Sequence, residues 1–197
     1  MKREEAREKI VCTTQEMIVK NGIRAVRVDE IAQRMGISKR TLYETFADKN
    51  ELIGVCMERM SVRQRKRISA YRRRRTLSPL QNALRLIYEY IDGICFVNSI
   101  FLEDVYRKEH WAQYFAPHKV FWRSELAELL KACQEDGQLL EDIQTQSFAN
   151  KVFNTLLDMR IEGEERDDLY LFGRTILRGA ATKHGVELID KPVKLRS

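Results

Sequence analysis

Lys39, Arg40, Thr41 and Glu44 stand close together just after a short apolar-periodic segment ends at Gly36. Side chains of these types read hydrogen-bonding edges. Arginine or lysine pairs with guanine O6 and N7, and glutamate accepts from cytosine N4. Such chemistry works only when a rigid element carries the side chains into a groove, and residues 22–52, GIRAVRVDEIAQRMGISKRTLYETFADKNEL, supply one. Val28, Ile31, Ala32 and Met35 recur at helical spacing, and Gly36 breaks the pattern. Ser38 is placed to cap a new helix carrying Leu42 and Phe46. Gly36 suits the turn because a residue without Cβ takes positive φ cheaply, and Ile37 is an apolar anchor between the helices. This is the sequence form of a helix-turn-helix, whose second helix enters a DNA major groove and presents its N-terminal side chains to base edges. A helical hairpin buried in a core would share the apolar spacing, but not the whole coincident pattern.

Gly22, Val28, Ile31, Ala32, Gly36, Ser38, Leu42, Tyr43, Phe46, Lys49 and Leu52 resemble, in order and spacing, the N-terminal DNA-binding domain of the TetR family of bacterial transcriptional regulators. The resemblance covers roughly residues 5–60. Beyond that it extends only to length and helical character. It implies that Tyr43, in the pattern LYxxF, donates its hydroxyl to a phosphate. Lys49 is expected to do likewise from the start of the fourth helix, where free N–H groups also favour an anion. Both contacts position the protein without specifying a sequence. Arg27 departs from the family, which commonly has Ser or Thr there to cap the second helix and touch phosphate. An arginine lacks the oxygen acceptor a cap needs, although its guanidinium can reach a phosphate. The cap is then expected at Asp29 or nowhere. Leu42 and Phe46 read as packing residues, and an exposed position alone would also account for Tyr43 or Glu44.

The chain of 197 residues contains three prolines and shows apolar spacing near 3.6 almost throughout, so an all-α protein is expected. An N-terminal domain over 1–60 precedes a helical regulatory domain over 61–197, which carries ligand binding and dimerisation, with the boundary inside the fourth helix. The spacing predicts helices over about 3–20, 28–35, 39–45, 49–74 and 80–97. Asn21-Gly22 stops the first, and Asp48 with Glu51 forms a capping box before the fourth. A central region interrupted by Pro117 follows, then helices over about 118–135, 145–161 and 166–183. Cys12, Cys56, Cys95 and Cys133 are scattered, which suits core filling in a reducing compartment. The charged start MKREEAREKI has no signal-peptide core, and no apolar run reaches the ~18 residues of a membrane span. A cytoplasmic protein without a membrane partner is expected.

The net charge of +6 and pI near 9.2 fit nucleic-acid binding only loosely, because the excess lies in the run RQRKRISAYRRRR over 63–75. If the fourth helix starts at DNA, Arg72 lies roughly 35 Å along it at ~1.5 Å per residue. That run reads as a solvated face or a surface for an anionic partner. Aromatic residues concentrate between Tyr88 and Trp122, and an apolar ligand pocket needs such density. Tyr88, Phe96, Phe101, Tyr106, Trp111, Tyr114, Phe115 and Trp122 are candidate lining residues, with Arg107 and His110 as polar contacts. Ordinary core packing is the competing account. In the last helices, Phe148, Val152, Leu156 and Met159 form one stripe, and Leu169, Phe172, Ile176 and Ala180 another. The resemblance implies that these pair with their twofold mates.

Nucleophile–base motifs, phosphate-binding glycine loops and metal-ligand spacings are missing from the sequence, so no catalytic residue, metal or cofactor is assigned. The reading is a ligand-responsive transcriptional regulator, of the repressor type, binding a palindromic double-stranded operator as a homodimer and released by a small-molecule effector. The alternatives are a nucleoid-associated or architectural DNA-binding protein without an effector, and a helical enzyme with an incidental helix-turn-helix-like segment.

Overall fold

The computed structural model describes residues 3–72, 77–107 and 109–191, leaving aside the side chains of 3, 70–72, 107, 109 and 110. These residues form helices α1 (Arg3–Asn21), α2 (Val28–Met35), α3 (Lys39–Thr45), α4 (Lys49–Arg72), α5 (Pro79–Phe96), α6 (Ser99–Arg107), α7 (Glu109–Glu135), α8 (Thr145–Glu162), α9 (Arg166–Gly179) and α10 (Lys183–Asp190). The fold is all-α. The chain divides into two compact units, Met1–Arg65 with Phe96–Pro117 and Lys66–Cys95 with His118–Ser197. Residues 96–117, which the sequence groups with the regulatory half, therefore cluster with the N-terminal helices.

In the first unit α1 packs on α2 and on α6, and α2 packs on α3. Ile10, Met17 and Ile18 of α1, Ile31 of α2, Leu42 of α3, Phe46, and Leu52 and Ile53 of α4 are all essentially inaccessible to solvent. Each such large side chain removed from water contributes about 1.5–3 kcal/mol. α1 ends where the Asn21-Gly22 pair predicts, with Gly22 at φ 81°, a conformation a side chain disfavours. Arg7 lies over the Phe46 ring, 5.1 Å from its centroid, a favourable cation–π arrangement.

The second unit is built on α5, whose Leu80, Ala83, Leu84, Leu86, Ile87, Tyr90, Ile91 and Ile94 are buried. Trp122, Leu126, Leu130 and Cys133 from the second part of α7 are buried in the same unit. Two expectations fail here. Pro117 does not separate two helices, because α7 begins at Glu109 and runs through it. Proline removes one backbone donor and strains the preceding turn, yet it does not stop this helix; the division between the two units falls directly after it. The expected helix over 166–183 instead ends at Gly179, and the Leu140 amide donates to the Ala180 carbonyl, 3.0 Å away. Thr182 then starts α10 by accepting from the Gly185 amide at 3.2 Å. A side-chain cap of this kind is a local stop-and-restart signal that apolar spacing does not reveal.

No helix of the described residues is long and apolar enough to cross a membrane. Of the cysteines, Cys56 and Cys133 are buried and Cys12 is exposed, so core filling accounts for two of the four. Burial pushes both enclosed thiols up to about 12. Only the thiolate alkylates readily. Native protein at neutral pH is therefore expected to take up iodoacetamide at Cys12 first, more slowly at half-buried Cys95, and at Cys56 and Cys133 only after denaturation. Peptide mapping reads the order, and native labelling of Cys56 as fast as Cys12 contradicts this packing.

Candidate nucleic-acid interface

Two turns of backbone chemistry fix the geometry of α2 and α3. Gly36 sits at φ 63° and closes α2 by donating to Gln33, while the Ile37 amide donates to the Ala32 carbonyl at 3.0 Å. This paired closure satisfies carbonyls that would otherwise be orphaned at a helix end. Two residues later Ser38 opens α3, its Oγ accepting from the Thr41 amide at 3.0 Å. Leu42 and Phe46 turn inward and are almost completely buried. The opposite side of α3 faces solvent. It carries Lys39, Arg40, Thr41, Tyr43 and Glu44, all exposed, so the structure brings all the candidate readers onto one short helix.

Their charges are paired with one another. Lys39 Nζ lies 2.7 Å from Asp29 of α2, and this hydrogen bond holds the Asp29 carboxyl below the usual carboxylate range. Arg40 Nε lies 2.9 Å from Glu44, one turn along α3. The Thr41 and Ser38 hydroxyls are 2.9 Å apart. Exposed pairs of this sort are weak because water competes for both partners, so exchanging them for other polar partners costs little.

Arg27 is the N-cap residue of α2 in extended conformation and makes no side-chain cap bond. Asp29, the other candidate, is committed to Lys39, so the side-chain cap is absent. The exposed Arg27 guanidinium is left at the N-terminal end of α2. Asp48 and Glu51 set up the start of α4: the Glu51 amide donates to Asp48 at 2.8 Å, and Glu51 accepts from the Ala47 amide at 2.6 Å. Lys49 follows Asp48 and is half-buried. Burial pulls its pKa down and the nearby Asp104 carboxylate pushes it back up.

The sequence missed Asp104 and Arg24. Asp104 is fully buried on α6 and pairs with Arg24 Nε at 2.7 Å. Asp104 stands beside a second acid, Glu103, in α6, and nothing in the local sequence marks which of the two is enclosed.

The aromatic candidates fall in both compact units. Trp122 is buried in the second unit, where its indole donates to His118 Nε2 at 3.0 Å and its ring meets Tyr90 and Phe153 edge-on. Tyr88 packs against Tyr170. In the first unit Phe101, Phe115 and Trp111 are buried, with Tyr106 against Phe115, while Phe96 is exposed. Tyr114 lines an open groove of about 900 Å³ with Gly54, Val55, Glu58, Ser61 and Gln113. A small space of about 30 Å³ in the second unit is lined by Ile68, Asn82, Arg85, Leu86, Glu89, Glu125 and Leu129, none of them a candidate. The side chains of Arg107 and His110, and those at the end of the basic run over 70–75, lie outside the described residues. No group of three potential metal ligands occurs among the described residues.

On α8 and α9, which pack on each other, the two stripes separate by burial. Val152, Leu156, Leu169 and Ala180 are enclosed by their own chain, whereas Phe148, Met159 and Phe172 are half-buried and Ile176 is 36 % exposed. Only the last four offer surface to a partner.

A two-helix reading head with a polar, solvent-facing second helix defines a DNA-binding helix-turn-helix protein. Residues 10–56 match the profile of bacterial regulatory proteins of the tetR family. A relative, the HTH-type transcriptional activator FasR of Mycolicibacterium smegmatis, is 32% identical over 96 residues, which is 46% of this chain and 42% of that protein. The match thus spans less than half the length of that relative. Among solved structures, a putative transcriptional regulator from Saccharomonospora viridis in complex with choline superposes with a TM-score of 0.78 at 16% identity, covering 91% of this chain and 100% of that one. CprB from Streptomyces coelicolor, solved with its operator sequence, gives 0.73 at 21% identity, covering 96% and 95%. At these identities the likeness is one of fold. Residues 10–56 are therefore similar to the DNA-binding domain of the tetR family, and the chain as a whole has the fold of these regulators.

The expected assignment of Arg40 and Glu44 to bases and of Tyr43 and Lys49 to phosphates has a measurable consequence. Tyr43→Phe and Lys49→Ala are expected to weaken binding alike on all DNA sequences, with the lysine change lowering the salt slope by about one. Arg40→Ala or Glu44→Ala is expected to relax preference at one base pair by ~1–3 kcal/mol. Salt titrations against a mutated operator panel check this, and a Lys49→Ala protein with altered base preference and unchanged salt slope contradicts the assignment.

Proposed function

We propose that this protein is a ligand-responsive transcriptional regulator that binds a palindromic operator as a homodimer, blocks transcription there, and is released by a small-molecule effector. The observation that carries the reading is α3: seven residues pinned from beneath by Leu42 and Phe46, with every polar candidate exposed above. Arg27, Lys39, Arg40, Thr41, Tyr43, Glu44 and Lys49 are the proposed DNA contacts. The operator-bound state of CprB and the choline bound to the Saccharomonospora viridis protein support the DNA and effector parts by analogy of fold. Tyr114 and the groove it lines are the open space available to an effector in the first unit. The activator role named for the M. smegmatis relative supports a second reading, in which the same contacts recruit transcription instead of blocking it. The position of the operator relative to the promoter separates the two.

A dimer presenting two equal heads is expected to select a palindrome whose half-sites are separated by about 10 bp or a multiple, ~34–36 Å. Selection from fragmented genomic DNA followed by footprinting measures this. Protection of a single asymmetric half-site counts decisively against the reading.

The proposed dimer face consists of Phe148, Met159, Phe172 and Ile176, since the other four stripe residues serve the protomer's own core. Met159→Arg with Ile176→Arg places charge on a buried apolar contact, a cost of several kcal/mol. A folded monomer with operator affinity reduced by orders of magnitude is expected, because linked half-sites no longer reinforce each other. Sedimentation and circular dichroism decide the matter: a variant that still sediments as a dimer places the interface elsewhere.

A further inference from the structure

The groove lined by Tyr114 selects its occupant by charge. Every residue of its lining belongs to the first unit. Glu51, Gly54, Glu58, Ser61 and Arg65 recur at alternating steps of three and four residues, so they form one line along α4. Asp48 stands just before that helix, and Gln113, Tyr114 and Pro117 come from the first half of α7. The lining thus sets three carboxylates against one guanidinium in a concave space of about 900 Å³. Like charges gathered along a groove focus their field into it. An anion is repelled there and a neutral molecule gains nothing from the field, whereas a cation is drawn in.

The spacing of the acids narrows the kind of cation. Glu58 is exposed and makes no hydrogen bond or ion pair among the described residues. Asp48 and Glu51 each give an oxygen to the backbone at the start of α4. Glu51 and Glu58 are two turns apart, about 10 Å along the axis at ~1.5 Å per residue. A compact ion cannot meet both, but a chain with separated charges can. Arg65, two turns further on, closes the far end to positive charge.

The uncharged part of the lining agrees. A Cβ on Gly54 would lie 2.8 Å from Tyr114 Cε1 and 3.2 Å from its Cδ1, so the ring occupies space that any other residue would take. The same groove therefore carries an aromatic ring, on which methylene groups pack and to whose face a cation is attracted. Ser61 is only 4% exposed and lines the groove, yet its hydroxyl makes no hydrogen bond among the described residues. Buried hydroxyls are ordinarily paired. This one is left for whatever occupies the groove, and it can accept from an ammonium N–H.

Resting on the reading of this groove as the effector site, we propose that its ligand is an aliphatic polyamine. Its separated ammonium groups meet Glu58 and the Asp48–Glu51 pair, its methylenes lie against Tyr114, and one N–H bonds to Ser61 Oγ. A quaternary ammonium lacks that N–H, and a short diamine cannot span both acidic positions.

The test is calorimetric titration of the full-length protein, without DNA and at low salt. Spermidine is the probe, putrescine the shorter diamine, tetramethylammonium the cation without N–H, and suberate the anion of similar length. Spermidine is expected to bind at one site per chain, putrescine and tetramethylammonium about tenfold or more weakly, and suberate not at all. Glu58→Gln should weaken spermidine about tenfold, and Glu58→Lys should abolish its binding. Ser61→Ala should cost spermidine about threefold and leave tetramethylammonium unchanged. Tyr114→Leu should weaken both cations about threefold; should that variant not fold, the exposed Glu58 still decides the matter. No saturable uptake of spermidine by the parent at roughly millimolar concentration overturns the proposal. Uptake that Glu58→Lys leaves unchanged also overturns it, as does suberate binding as tightly as spermidine. Operator binding is measured on the same samples. Operator bound in the absence of amine, with no uptake of spermidine, leaves the effector reading standing and sinks only this assignment. Uptake that depends on Glu58 in a protein that binds no operator supports the polyamine site and removes the operator reading instead.

Discussion

A seven-residue helix has no stability of its own, because nucleating a helix costs more than so few hydrogen bonds return. α3 exists because Leu42 and Phe46 are buried beneath it. The cap by Ser38 adds about 1 kcal/mol, whereas losing either apolar anchor costs ~2–5 kcal/mol. Packing therefore decides whether the helix forms, and capping decides where it starts. This division frees the outer face of α3 from any structural duty. Lys39, Arg40, Thr41, Tyr43 and Glu44 are exposed there and lie outside the buried core, so the core does not dictate their identity.

Charges in the first unit fall into two classes that differ by solvent access. Lys39 with Asp29 and Arg40 with Glu44 are exposed, so water competes for both partners and the pairs are weak. They keep the side chains ordered without binding them tightly. Asp104 with the Arg24 side chain and the amides of Ile23 and Arg24 is the opposite case, because the carboxylate is cut off from water and must keep its donors. The weak pairs lie on the exposed face of α2 and α3, and the strong one lies at the joint between α1 and α2.

The second unit shows how one apolar stripe divides between enclosed and marginal positions. Along α8, Val152 and Leu156 point into the protomer while Phe148 and Met159 lie at its margin; on α9, Leu169 is enclosed and Phe172 and Ile176 are not. A stripe wider than one partner can cover leaves a flank for another. The aromatic density between Tyr88 and Trp122 resolves in a similar way. Trp122 is locked between His118, Tyr90 and Phe153 as core, and Tyr114 alone of the candidates borders the open groove.

The sequence by itself determined the reading head. The limits of α2 and α3, the turn at Gly36, the cap at Ser38, the buried anchors and the exposed readers all follow from side chains within a few residues of one another, and local chemistry sets them. That Arg27 itself supplies no cap was legible for the same reason, whereas the choice between a cap at Asp29 and none was made by the structure, which leaves the helix start without a side-chain cap. Only the tertiary structure decided the rest. Spacing showed that Leu169, Phe172 and Ile176 share a stripe, but not that the stripe divides between the protomer core and a free flank, because periodicity gives a direction and never the identity of the neighbour. Pro117 looked like a break, yet the surrounding helix carries through it. The restart at Thr182 depends on Leu140 meeting Ala180, some forty residues apart along the chain. Asp104 lay further from view still, since its partners Ile23 and Arg24 are about eighty residues away in sequence. Glu103 beside it is only half-buried, and which of two adjacent acids is enclosed is decided when the fold supplies the donors that make burial tolerable.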